Sequence, residues 1–162
     1  CFLSPFSLKK TGIAVAEKSA LTIDDIKANM RQLCKEAVAD LPTVSVQTLH
    51  AAMENEENYT LVDVRSQSEF EQGHLAKALL LPRGSLEFLA PQTLIDPGQK
   101  IYVYCRTGSR SALAVRMLKD IGYTNVYNVE KGFKGWAEAG YPIFNSHGMF
   151  TLVQNGFEKK EK

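Results

Sequence analysis

Cys105 is the residue of this sequence with the clearest capacity for chemistry. The apolar run Ile101–Tyr104 precedes it, and the polar segment 106–110 separates it from a stretch with helical periodicity. A thiol between the end of a buried strand and the start of a helix faces free backbone amides and the positive end of the helix dipole, which favours the thiolate. Arg106 and Arg110 add positive charge. We therefore expect a nucleophile in electropositive surroundings that receives an anionic substrate.

The residues after the cysteine have narrower expected roles. Arg106 and Arg110 are expected to bind the anionic part of the substrate. Thr107 and Ser109 carry hydroxyls that either bond the substrate or brace the loop, and the sequence leaves both alternatives open. Gly108 is expected to adopt a backbone conformation that other residues disfavour.

Length and composition place this thiol in an ordinary folded domain. With 162 residues, of which 44% are hydrophobic, the chain is long enough for one domain with its own core. A formal net charge of +1 gives no sign of nucleic-acid binding, and no apolar run approaches the roughly 18 residues that span a bilayer. The three cysteines, Cys1, Cys34 and Cys105, are too few and too scattered for a disulfide framework or a zinc site. We expect no metal, no separate cofactor and no nucleic-acid partner.

The segments that must position Cys105 alternate between strand and helix patterns. Apolar, β-rich runs lie at 59–64, 101–104 and 125–129, and the clearest helical pattern covers 110–121. Such alternation predicts an α/β fold with a central, mainly parallel sheet and helices on both faces. Reacting groups in these sheets lie at the carboxyl ends of strands, where the sequence also places Cys105.

Four segments are predicted along the chain: a flexible N-terminal tail at 1–21, a helical extension at 22–42, the α/β domain at 43–144 and a C-terminal tail at 145–162. Within the extension, a helix from about 23 to 39 carries an apolar stripe. Cys34 belongs to that stripe, and we interpret it as a buried packing residue; a resolving thiol for Cys105 is the alternative. In the C-terminal tail, residues 149–153 are apolar enough to dock on this chain or on a partner.

Cys1 bears on the location of the protein. A lipoprotein whose signal peptide has been removed begins with a lipid-bearing cysteine, so Cys1 slightly favours an exported or periplasmic protein that is lipid-anchored at this residue. A fragment boundary would look the same, and a cytoplasmic location is the alternative.

The motifs of residues 43–143 resemble those of the rhodanese-like sulfurtransferases, which implies the rhodanese-like fold. In chain order they are Leu61-Val62-Asp63-Val64-Arg65, Glu69-Phe70, Gly73-His74-Leu75, Ala78, Leu81-Pro82, Cys105-Arg106-Thr107-Gly108-Ser109-Arg110-Ser111, Gly122-Tyr123, Val126-Tyr127, Gly132-Phe133-Lys134-Gly135-Trp136 and Gly140-Tyr141-Pro142. Their order and spacing most resemble single-domain thiosulfate sulfurtransferases. The helical extension is also similar to that of small periplasmic polysulfide-sulfur transferases.

The resemblance implies a two-step exchange at Cys105. The thiolate takes a sulfane sulfur from thiosulfate or polysulfide and becomes a persulfide, and a thiophilic acceptor such as cyanide, a thiol or a protein thiol then removes the sulfur. Amides around Cys105 are expected to stabilise both forms of the sulfur without a metal. The cationic loop departs from the largely uncharged loop of the family's mercaptopyruvate-using branch. A homodimer is a further expectation.

Two other classes of function share this fold or this kind of loop. Dual-specificity phosphatases and arsenate reductases resemble the chain at the cysteine, but a phosphatase loop places five residues between cysteine and arginine. Only four separate Cys105 from Arg110, and Ser111 occupies the next position. The shorter loop favours a sulfur atom over a phosphate group. The third class, a rhodanese module used only for protein binding, would most simply lack the cysteine.

Five residues outside the loop also match the resemblance or border the expected cleft. Asp63 and Arg65 end a strand and are expected to form a structural ion pair or hydrogen bonds. His74 is expected to be satisfied by a backbone carbonyl in a turn rather than to act as a general base. Trp136 is expected in the core. Arg83 follows another strand and is a weaker candidate for the substrate site.

Overall fold

The computed structural model of the protein describes residues 21–153 and 156–158. The strands are β1 (Thr43–Val44), β2 (Thr60–Asp63), β3 (Leu79–Leu80), β4 (Ile101–Tyr104), β5 (Val126–Val129), β6 (Ile143–Asn145), β7 (Gly148–Val153) and β8 (Gly156–Glu158). The helices are α1 (Ile23–Ala39), α2 (Val46–Glu54), α3 (Gln67–Gln72), α4 (Leu86–Thr93), α5 (Ser109–Asp120) and α6 (Gly132–Glu138), with a 3-10 turn at Arg83–Ser85.

Strands β1 to β5 form one parallel sheet in the order β1-β5-β4-β2-β3. The predicted α/β class is therefore confirmed. Strand β4 lies at the centre of the sheet, between β5 and β2, and Cys105 follows directly after it. The backbone amide of Val64, just beyond β2, donates to the carbonyl of Tyr104, so the carboxyl ends of the two strands lie side by side. This edge holds the candidate site.

Helices cover both faces of this sheet, as predicted. Because successive strand residues point to opposite faces, Val62 and Val103 enter a core cluster that includes residues of α4 and α5. Leu61 and Tyr102 enter a second cluster with residues of α2 and α6. The central strands are thus apolar on both faces, which explains why β4 reads as a continuous hydrophobic run.

Helix α1 begins where the sequence predicts, but its apolar stripe is less buried than expected. Thr22 and Asp25 form a capping box at its start. Among the helix residues only Ala37 is buried, whereas Met30 and Leu33 remain 55% and 52% exposed. Cys34 is half-buried, and its thiol lies 3.9 Å from the Met30 sulfur. The difference arises because α1 packs mainly on α5, whose other side already covers the sheet. No helix of the described residues is both long and apolar enough to cross a membrane.

The C-terminal segment differs from the tail that was predicted. Strands β6, β7 and β8 form an antiparallel sheet, so residues 148–153 belong to a ribbon that folds back on the domain. Phe150 and Leu152 pack against the core cluster that contains Trp136 and Ile143. The apolar segment expected to dock therefore docks on this chain. The predicted N-terminal tail, with Cys1, lies outside the described residues apart from Leu21.

Candidate active site

Cys105 begins a short segment that leads from β4 into the first turn of α5; we call residues 105–110 the Cys105 loop. Gly108 precedes α5 and has a φ of +99°, a conformation that side chains other than that of glycine rarely adopt. Its backbone amide donates to the Cys105 sulfur at 3.2 Å. Cys105 is only 1% exposed. The loop therefore holds the sulfur against a backbone donor at a helix N-terminus, where negative charge is favoured.

The buried side chains of Ser111 and Asn128 are hydrogen-bonded to each other next to the Cys105 sulfur. Neither residue was given a role from the sequence. The Ser111 hydroxyl lies 3.5 Å from the Cys105 sulfur, 3.0 Å from the Gly108 carbonyl oxygen and 2.6 Å from Oδ1 of Asn128. A hydroxyl has one proton to donate, so these acceptors compete for it. Ser111 could have been found from its place one residue beyond the loop. Asn128, on β5, could not have been found, because nothing in the sequence distinguishes it from the other residues of that strand.

The Cys105 loop packs directly against the start of α6. The amide of Phe133 donates to the Cys105 carbonyl at 2.8 Å, and the amide of Lys134 donates to the Arg106 carbonyl at 2.9 Å. Gly132 lies directly beneath: a Cβ added there would be 2.3 Å from the Cys105 carbonyl oxygen. The loop thus approaches α6 so closely that only glycine fits at this position.

The two arginines of the loop have different surroundings. Arg110 forms a two-pronged ion pair with Glu69, with N–O distances of 2.8 and 2.7 Å. The hydrogen bond from Arg110 is the main cause that holds the pKa of Glu69 at about 2. Glu69 also caps α3 with Ser66, which fixes its carboxylate in place. Arg106 is exposed and makes no ion pair with the described residues. Binding of a substrate anion by both arginines stays a prediction, and at Arg110 the anion would compete with the carboxylate of Glu69.

A cleft of about 380 Å³ opens beside Arg106. Glu69 and Gln72 line one part of it, and Phe133, Phe150 and Leu152 supply apolar walls. The last two come from β7, in the segment that was predicted to be a tail. The sequence could not place them here because nothing in the chain indicates where a C-terminal strand folds back.

Asp63 and Arg65 form a buried ion pair beneath this cleft. The Arg65 guanidinium contacts both carboxylate oxygens of Asp63 at 2.7 to 3.0 Å and donates to the Gly73 carbonyl at 2.7 Å. It also lies over the Phe133 ring, 4.3 Å from its centroid. Arg65 lines the cleft, but its charge is matched by Asp63. The pair holds together the ends of β2 and α3.

His74 and Trp136 make the kinds of contacts that the sequence predicted. Nδ1 of His74 lies 3.0 Å from the Phe70 carbonyl oxygen, and the imidazole stacks on the Phe70 ring. Trp136 is 1% exposed, and its indole N–H donates to the Pro142 carbonyl at 2.8 Å. Neither side chain is hydrogen-bonded to Cys105 in the described part of the chain.

The remaining candidates are less closely engaged. Thr107 and Ser109 are exposed, and their hydroxyls make no hydrogen bond to the described residues. Arg83 lies at the same edge of the sheet, since its amide donates to the Val64 carbonyl. Its Nε is buried without a hydrogen-bond partner among those residues, and Arg83 does not line the cleft beside Arg106.

The site can bind an anion next to a nucleophilic thiol, because the Gly108 amide contacts the Cys105 sulfur and Arg106 makes no ion pair with the described residues. The chain belongs to the Rhodanese-like domain family, which residues 45–139 match. The resemblance seen in the sequence is thereby confirmed, and sulfurtransferases are among the relatives of the chain.

Two curated relatives illustrate the range of the family. The "Sulfurtransferase" of Allochromatium vinosum is 31% identical over 105 residues, which cover 65% of this chain and 96% of that protein. The "Putative sulfur carrier protein YrkF" of Bacillus subtilis is 29% identical over 101 residues, or 62% of this chain. The match spans only 54% of YrkF, about half of its length.

Two solved structures are also similar. The polysulfide-sulfur transferase homodimer from Wolinella succinogenes has a TM-score of 0.64 and 30% identity, over 76% of this chain and 93% of that chain. RPA3614 from Rhodopseudomonas palustris, described as a protein of unknown function and possible tyrosine phosphatase, has a TM-score of 0.62 and 29% identity, over 79% and 98%.

Proposed function

We propose that this protein transfers a sulfane sulfur from a small sulfur-containing anion to a thiophilic acceptor through a persulfide on Cys105. The observation that carries the proposal is the Gly108 amide 3.2 Å from the Cys105 sulfur, at the N-terminus of α5. A donor so placed stabilises negative charge first on the thiolate and then on the persulfide. No separate cofactor enters this chemistry.

With thiosulfate as the donor, the Cys105 thiolate attacks the outer sulfur. A bond forms between the two sulfurs, the original sulfur–sulfur bond of thiosulfate breaks, and its electron pair leaves with sulfite. An acceptor nucleophile then attacks the outer sulfur of the persulfide and returns the electron pair to Cys105. Because Cys105 is almost fully buried, transfer of a single slender atom suits it better than transfer of a bulky group.

Arg106 is the group that we propose to hold the anionic end of the donor. Its guanidinium is exposed beside the cysteine and is not neutralised by any described residue. Arg110 is proposed to act mainly through its pair with Glu69, which ties the start of α5 to α3. One uncompensated cation suits thiosulfate or polysulfide, and both remain candidate donors.

The acceptor is proposed to be a thiol, either on a small molecule or on a protein. Relatives named as a sulfur carrier and as adenylyltransferase and sulfurtransferase support a protein acceptor for this chain. Cyanide serves as a convenient laboratory acceptor.

Phosphate-ester hydrolysis is the second candidate, favoured by the similarity to RPA3614. The loop argues against it. Only four residues separate Cys105 from Arg110, and the arginine that would hold a phosphate is engaged by Glu69 through two hydrogen bonds.

The test is a turnover assay in which thiosulfate and polysulfide are compared as donors, with cyanide as acceptor, and p-nitrophenyl phosphate is offered in parallel. We expect sulfur transfer with at least one donor, no phosphatase turnover, and loss of sulfur transfer in Cys105→Ser. Phosphatase turnover without sulfur transfer would contradict the proposal.

A further inference from the structure

The cleft beside the Cys105 loop is larger than the sulfur chemistry requires. At roughly 30 Å³ per water molecule, its 380 Å³ has room for about a dozen waters. Thiosulfate or cyanide would fill only a small part of such a space. Since Cys105 does not line the cleft and Arg106 does, the extra room lies to one side of the reacting sulfur.

The walls of this cleft are built for an apolar group. Phe150 and Leu152 are alternate residues of β7 and therefore point to the same side of the strand, whereas Thr151 points to the other. Pairing of Phe150 with Ile143 of β6 fixes the register that places them. Phe133, whose amide binds the Cys105 carbonyl, completes the apolar lining next to the loop.

Among the described residues that line the cleft, one cation lacks a counter-ion. Arg65 is matched by Asp63, and Glu69 is matched by Arg110. Gln72 adds a neutral amide, which leaves Arg106 as the uncompensated charge among the described lining residues. A single cation at one end of an apolar cleft favours a ligand with an apolar body and one net negative charge.

We propose that this cleft binds the organic part of a small, carboxylate-bearing thiol, and that Phe150 and Leu152 of β7 thereby determine acceptor specificity. The inference rests on the persulfide function proposed above. The acceptor thiolate attacks the outer sulfur of the Cys105 persulfide, a sulfur–sulfur bond forms on the acceptor, and the bond to Cys105 breaks with its electron pair returning to Cys105. The product is an organic persulfide, and no oxidant or reductant is needed. Arg106 binds the acceptor carboxylate.

Single-turnover discharge separates this acceptor step from donor binding. The protein is loaded with excess thiosulfate and desalted. Loss of the added sulfur is then followed by intact mass with cyanide or with 4-(mercaptomethyl)benzoate, a thiol with an apolar ring and one carboxylate. In Phe150→Ala and Leu152→Ala, we expect the ratio of the 4-(mercaptomethyl)benzoate rate constant to the cyanide rate constant to fall about tenfold. Thr151→Ala, on the opposite side of the same strand, should leave that ratio at the wild-type value.

A second comparison tests the charge. The Arg106→Gln substitution should slow discharge by 3-mercaptopropionate. The factor by which it slows this reaction should be about ten times the factor for the cationic thiol cysteamine. Expressing each rate relative to wild type removes the intrinsic reactivity of the two thiols.

The negative results that are possible distinguish the acceptor site from the proposed persulfide function. If the wild-type protein takes up no sulfur, the proposed function itself is wrong. If it loads normally but the β7 variants and Thr151→Ala show the same ratio as wild type, the acceptor site is overturned while the persulfide function stands. Loading of the full amount of sulfur by each variant shows that it is folded, and Leu152→Ala provides the test if Phe150→Ala does not load.

Discussion

Replacing Gly132 by alanine should displace the Cys105 loop from its packing position against α6. The new Cβ would lie 2.3 Å from the Cys105 carbonyl oxygen and 3.0 Å from its carbonyl carbon, and both are backbone atoms that cannot rotate away. The same carbonyl accepts the hydrogen bond from the Phe133 amide at 2.8 Å. Relief of the clash must therefore move the cysteine, the start of α6, or both.

Two energetic costs combine at this position. Gly132 has a φ of +47°, and a left-handed conformation costs a residue with a Cβ about 1–2 kcal/mol. Overpacking against fixed backbone adds about 1–3 kcal/mol. We expect Gly132→Ala to lower the free energy of unfolding by about 2–5 kcal/mol. Gly140 isolates the first cost, because its φ is +72° but no atom lies within 4 Å of an added Cβ. Gly140→Ala should therefore cost only about 1–2 kcal/mol.

Urea unfolding of both variants measures this difference, and single-turnover loading with thiosulfate measures its effect on the sulfur. A misplacement of about 1 Å can slow a reaction by about a hundredfold. Gly132→Ala should therefore load far more slowly than Gly140→Ala, even under conditions where both are folded. Equal free energies of unfolding and equal loading rates for the two variants would refute the close packing of the loop against α6.

Three further variants test individual contacts. Ser111→Ala removes the hydroxyl 3.5 Å from the Cys105 sulfur and leaves Asn128 without its partner, so loading with thiosulfate should slow and the free energy of unfolding should fall by about 1–3 kcal/mol; an unchanged rate would show that the Gly108 amide suffices. Glu69→Gln frees Arg110, so the KM for thiosulfate should fall severalfold at low ionic strength and return towards wild type in 1 M salt. Because the pKa of Glu69 falls from 4.5 to about 2 on folding, its pair with Arg110 should add about 1 kcal/mol to the free energy of unfolding above pH 4.5. This contribution should disappear as the pH falls through 2. Urea unfolding of wild type and Glu69→Gln between pH 5 and pH 2 measures it, and a difference in stability that does not change with pH would contradict the prediction. Asp63→Asn leaves the buried Arg65 charge without its counter-ion and should cost about 3–5 kcal/mol in urea unfolding, whereas a cost below 1 kcal/mol would show that the pair is dispensable.

Local sequence signals were enough to predict the framework around Cys105. The apolar run of β4, the glycine-containing loop and the helical period of α5 are contiguous, so strand, turn and helix could be read in one stretch. The predicted helix from about 23 to 39 likewise matches α1 at Ile23–Ala39. In each case the residues that determine the structure are near neighbours in the chain.

The contacts that set the properties of the site depend on residues distant in sequence. Glu69 neutralises Arg110 across 41 positions, and nothing near Arg110 indicates that its charge is already matched. Asn128 reaches Ser111 only because β5 lies beside β4. Phe150 and Leu152 enter the cleft because β7 pairs with β6 and folds back on the domain. Pairing and packing of this kind follow from the assembled fold, which a local pattern does not encode.

The most direct test of the central claim is to locate the transferred sulfur. The protein is incubated with thiosulfate, the persulfide is trapped by alkylation, and peptides are analysed by mass spectrometry, with Cys34→Ser as a control because Cys34 is a second, half-buried free thiol. A gain of about 32 Da confined to the Cys105 peptide, equal in Cys34→Ser and lost in Cys105→Ser, is the expected result. Sulfur found on Cys34, or equal uptake by Cys105→Ser, would contradict the assignment of Cys105 as the sulfur carrier.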